Sequence, residues 1–108
     1  MSFEKYISED ILEKGINLSS QGINEIIWKG AIIKDVINSI YKAEKTILGG
    51  DVYTLDNGLA VSTYDNWYYN GNNFEEAYTN AIQYITNYLE RNGDDFYFSV
   101  TVSKTKKI

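Results

Sequence analysis

The chain has 108 residues, 44% hydrophobic and 23% charged. That fits one ordinary globular domain over 1–108 and argues against disorder. It contains neither Cys nor His, which removes disulfides, thiolate nucleophiles, thiolate zinc sites and every His-based triad. Ten basic against fifteen acidic residues give −5, and without Lys104, Lys106 and Lys107 the rest carries −8; such a body repels nucleic acid, and its charge serves either plain solubility or a basic protein partner.

The start, Met1-Ser2-Phe3-Glu4-Lys5-Tyr6, has no apolar leader. No apolar stretch is long enough to span a bilayer. The expected location is the cytoplasm, with no membrane contact. Ser8 can cap a short helix whose first turn holds Glu9 and Asp10, both favourable at the positive end of the dipole. Gly15 ends it, and residues 19–22 read as a loop.

Over 30–43, Ile32, Ile33, Val36, Ile37, Ile40 and Tyr41 fall at spacings of three and four, which predicts a helix with one apolar face. Ile26, Ile27 and Trp28 form either its first turns or an extended lead-in. Residues 46–55 are strand-like, Asp56-Asn57-Gly58 is a hairpin turn, and 59–64 return as the second strand. Residues 65–69 continue that strand or make a third.

Asn73 caps the clearest helix, with Glu75 and Glu76 in its first turn and an apolar stripe from Phe74 to Leu89; Asn92-Gly93 stops it. Beyond it Phe96, Phe98, Val100 and Val102 alternate with Tyr97, Ser99, Thr101 and Ser103, a half-buried strand with one wet face. The expected fold is α+β. A small antiparallel sheet, the hairpin plus the C-terminal strand, packs against two main helices, with a short N-terminal helix.

Phosphate-cradling glycine loops are absent, and with Asp65 first a calcium loop fails because Trp67 takes its third position. No metal or cofactor is expected. Asp51 and Asp65 become neighbours if the hairpin pairs through Asp56-Asn57-Gly58, which leaves a paired-carboxylate hydrolase open. The densest chemistry is Gly49-Gly50-Asp51-Val52-Tyr53 beside Tyr64-Asp65-Asn66-Trp67-Tyr68-Tyr69. Tyr and Trp there fill the core or anchor a recognition surface. Trp67, Tyr68 and Tyr69 cannot all point inward, because adjacent side chains of a strand face opposite ways. Gly49 and Gly50 mark either a bulge or a close approach of helix to strand, or a bare patch of backbone. A carbohydrate-type binding module and a structural assembly subunit are the competing functions.

Ile47-Leu48-Gly49-Gly50-Asp51-Val52-Tyr53, then Tyr64-Asp65-Asn66-Trp67-Tyr68, then a helix bearing Ala81, Tyr84 and Ile85, resemble the immunity protein 40 family of bacterial polymorphic toxin systems over roughly residues 26–91. The resemblance implies an α+β antidote in the cytoplasm that binds a cognate toxin domain, with no catalysis and no cofactor. A basic, nuclease-like toxin would suit its acidity. Gly49, Gly50, Asp51 and Tyr53 match the first motif, and Asp65, Asn66, Trp67 and Tyr68 the second. With Tyr69 added, Asp51, Tyr53, Asp65, Asn66, Trp67 and Tyr68 are the candidate toxin-binding residues, and Gly49 and Gly50 serve as motif backbone. The resemblance names no particular toxin and fixes no oligomeric state.

Overall fold

A computed structural model describes residues 2–103. Met1 and the tail, including Lys104, Lys106 and Lys107, lie outside the described residues. The chain is mixed α+β; its described residues form three α-helices on a six-stranded antiparallel sheet. A 3-10 turn, Ser2–Tyr6, precedes helix α1, Glu9–Glu13; the Ser8 hydroxyl accepts from the Ile11 amide at its start. Strand β1, Ile16–Asn17, leads into a second 3-10 turn, Leu18–Gln21, where a loop was expected. That turn forms because Leu18 is apolar and is driven fully under cover.

Residues 26–29 are strand β2, Ile26–Lys29, so the extended alternative holds. Ile27 and Trp28 point to opposite faces and both are fully buried. Only a strand covered on both sides gives that pattern. Helix α2, Gly30–Lys42, starts at the next residue, and its buried stripe is Ile33, Val36, Ile37 and Ile40. Strands β3, Ile47–Asp56, and β4, Leu59–Tyr68, form the hairpin, with Asn57 at φ 52° and Gly58 at φ 80° in its turn. Residues 65–68 continue β4. Helix α3, Phe74–Asn92, is capped by Asn73 Oδ1, which accepts from the Glu75 and Glu76 amides at 3.0 Å.

The C-terminal strand is the main departure. It is broken into β5, Tyr97–Phe98, and β6, Thr101–Val102. It runs through the middle of the sheet, in the order β1-β2-β5-β3-β4, with β6 also on β3. Its second face is not wet along its length: Ser99 is 1% exposed. The break turns Ser99 onto Asp51. Its hydroxyl accepts from the Asp51 amide and its amide donates to the Asp51 carbonyl, both at 3.0 Å.

Two cores result. Trp28, Val52, Phe98 and Trp67 meet α2 and α3 on the helix face of the sheet. On the other face, Ile27, Tyr53 and Ala60 lie under Leu18. That second cover stops partway along β3 and β4, and the rest of this face is open.

Candidate functional site

The open half of the sheet is a shallow concavity of about 480 Å³, lined by Gly49, Asp51, Asn66, Tyr68, Tyr69 and Thr101 among others. Its shape follows from register. Gly49 opposes Tyr68, Gly50 opposes Trp67 and Asp51 opposes Asn66. Trp67 points to the helix face, where its ring stacks on Tyr84 at 5.4 Å, so Asn66 and Tyr68 point the other way. Tyr68 is 72% exposed and Trp67 is 6% exposed, as the alternation of strand side chains demands.

The glycines are explained by packing. A Cβ on Gly50 would run into the Ser99 carbonyl oxygen and the Trp67 ring, and one on Gly49 into the Trp67 carbonyl oxygen. Gly49 also has φ 151°, and the ladder to β6 is irregular between Ile47 and Gly49. The close approach is therefore of strand and indole, not of helix.

The other candidates are scattered by the same register. Tyr53 is buried on the covered half, where its hydroxyl donates to Glu25 Oε1 at 2.7 Å. Burial, then that hydrogen bond, pushes its ionisation far above the ordinary tyrosine range. Asp65 lies on the helix side and accepts from the Tyr88 hydroxyl at 2.8 Å. Burial and this contact raise the pKa of Tyr88, and burial with the Asp65 charge raises that of Tyr84. Tyr69 closes the β4–α3 connection, its hydroxyl donating to Glu76 Oε1 at 2.9 Å and accepting from the Asn73 amide at 3.2 Å.

Asp51 and Asp65 are not paired. Asp51 opposes Asn66, and the two carboxylates sit on opposite faces. No cleft is flanked by both, so the two-carboxylate arrangement is absent. Among the described residues no three carboxylates cluster so as to hold a metal ion, and no helix is long and apolar enough to cross a membrane.

Two features escaped sequence reasoning. The first is a bulge in β4. Between the pairs Tyr53–Ser62 and Asp51–Asn66, β3 advances two residues and β4 four. The bulge puts Tyr64 at φ 69° and leaves it 89% exposed. A bulky residue in the left-handed region is strained, and strain of this kind gathers where surfaces act. The second is charge segregation, and its signal was present. From residue 46 to residue 90 there are six acids and no Lys or Arg. That span is β3, β4 and nearly all of α3. Where its acids have partners, these are tyrosine hydroxyls, Tyr88 on Asp65 and Tyr69 on Glu76. A neutral donor orients a carboxylate and leaves its charge in place.

No curated protein and no solved structure matches the chain. A known family does: Immunity protein 40 matches residues 17–102. The matched span takes in the Leu18 turn, both motif strands, α3 and the central C-terminal strand, that is, the second core, the first core apart from Phe3 and Ile7, and the open half of the sheet; the chain belongs to the immunity protein 40 family.

Proposed function

We propose that residues 1–108 act as one immunity domain, which binds and neutralises a cognate bacterial toxin in the cytoplasm by direct protein–protein contact and without catalysis. One observation carries the reading beyond the family. The hairpin side of the molecule presents two exposed tyrosines, Tyr64 and Tyr68, on elements that hold acids and no bases. Tyrosine supplies rigid contact area with a polar tip, and the unneutralised carboxylates attract a basic partner. Asp51, Asn66 and Tyr68 would touch the toxin on the open face, with Asp65 at its margin. Trp67, Tyr53 and Tyr69 would act from beneath or beside it, by holding the strands in register.

The test uses the C-terminal domain of the secreted protein encoded immediately upstream. Co-expression should protect cells from that domain, and the pair should co-purify. Tyr64→Ala and Tyr68→Ala should each weaken binding about tenfold or more, roughly 1.4 kcal/mol, with unfolding unchanged. Losses below about 1 kcal/mol at both positions would remove the tyrosines as anchors. A carbohydrate-type ligand in the concavity is the second reading. It has less support, because Trp67, the best stacking ring, faces the helices.

A further inference from the structure

Strand β4 is the last strand of its sheet, with nothing paired to its outer side among the described residues. An antiparallel ladder turns alternate residues outward, so such a strand offers a row of unpaired amides and carbonyls. In β4 that row is sealed at one end and open at the other. Ala60 faces out, and the Gln21 side chain takes both of its groups: Oε1 accepts from the Ala60 amide at 2.9 Å and Nε2 donates to its carbonyl at 3.1 Å. Within the bulge, the Tyr64 amide donates to Ser62 Oγ at 3.0 Å and the Asp65 amide to Thr63 Oγ1 at 3.1 Å. Ser62 is outward too, but it lies between these two seals.

Beyond the bulge the edge is bare. Both backbone groups of Asp51 are bonded to Ser99, so Asn66, which opposes it, directs its own amide and carbonyl outward. The Tyr69 amide turns inward to the Leu48 carbonyl at 2.8 Å, which makes Tyr68 outward as well. Of the usual protections of an edge, Lys and Pro are absent from β4, and its bulge ends before Asn66. Exposed apolar surface runs beside it at Leu59, Val61, Tyr64 and Tyr68.

Charge selects the occupant. A second copy of this chain would bring another base-free β4 with its own Asp65, like charge against like. A basic segment would meet Asp65 on one side of the added strand, and Asp51 and Tyr68 on the other. We propose that the toxin docks by strand addition: an extended basic segment of it pairs with the open edge of β4 at Asn66 and Tyr68, with alternate side chains facing Asp65 and Tyr68. This rests on the toxin-binding reading above and specifies its geometry.

The experiment follows backbone amide exchange by NMR in the full chain, free and bound to the upstream-encoded toxin domain. The Asn66 and Tyr68 amides should exchange at least ten times more slowly in the complex. Asn66→Pro removes one outward amide, which has no partner among the described residues; it should weaken binding at least a hundredfold, and at least ten times more than Asn66→Ala, which loses the side-chain contact and keeps the amide. A complex that forms and leaves both amides unprotected overturns strand addition while toxin binding stands. Absence of any complex overturns both. If Asn66→Pro does not fold, exchange in the unmodified chain decides. Protection of the two amides that grows with the concentration of the free chain would assign the edge to a second copy and overturn the proposal.

Discussion

At Gly50 the sheet has no room for a methyl group. The Ser99 carbonyl and the Trp67 ring already occupy the space, and neither is the loose end of a flexible side chain. Gly50→Ala should therefore cost about 2 kcal/mol or more in urea unfolding, within the range for overpacking. Trp67→Ala should cost more, about 3–5 kcal/mol, by opening a cavity beside Tyr84. Tyr68→Ala, on an exposed side chain, should stay within about 0.5 kcal/mol. A neutral Gly50→Ala would show that strand and indole do not pack this closely. The contrast separates residues that a binding assay would otherwise confuse. On the proposed function, Trp67 and Gly50 variants should lose toxin by weakening the fold, and Tyr68 variants should lose it directly. Sequence alone named all three and could not sort them, because the sorting depends on which way Trp67 turns.

Among the elements, those set by local chemistry were legible. Asn57-Gly58 tolerates positive φ and makes the hairpin, and the Asn73 side chain binds two free amides and starts α3. What depended on distant partners was not. β2 looks helical or extended until Ile27 and Trp28 are seen buried on opposite faces, and the C-terminal strand reads as half-wet until it is placed between β2 and β3. The β4 bulge has no local signature either, since it exists only relative to the register of β3. Gln21 belongs with these. It looks like a loop residue, yet it bonds both backbone groups of Ala60 at the sheet edge. Gln21→Ala should destabilise the fold by about 1–3 kcal/mol, from two hydrogen bonds at roughly half to one and a half each. It should also raise concentration-dependent self-association in sedimentation, since it extends the open edge of β4 toward the turn. Unchanged unfolding would mean that the clamp contributes nothing to stability.

For the whole molecule, composition gave the sign of the charge and hid its arrangement. Lys29, Lys34, Lys42 and Lys45 fall on β2, on α2 and just after it, whereas β3 and β4 carry none and α3 carries only Arg91 in its last turn. A net charge of −5 is modest, but a field strongest over a span with six acids and no bases, residues 46–90, orients an approaching partner as well as attracting it. Electrostatic steering acts on encounter, before the close contacts form, and salt screens it over a Debye length of about 10 Å at 0.1 M. The association rate with the toxin domain should therefore fall about tenfold or more between low and high ionic strength, while the dissociation rate changes by less than about threefold. Asp56→Lys places a base at the exposed hairpin turn, away from the open face. It should slow association about threefold or more and leave dissociation unaltered, as expected of a charge outside the contact. Surface plasmon resonance at a series of salt concentrations reads both rates. An association rate indifferent to salt and to Asp56→Lys would mean that the base-free half plays no part in finding the partner.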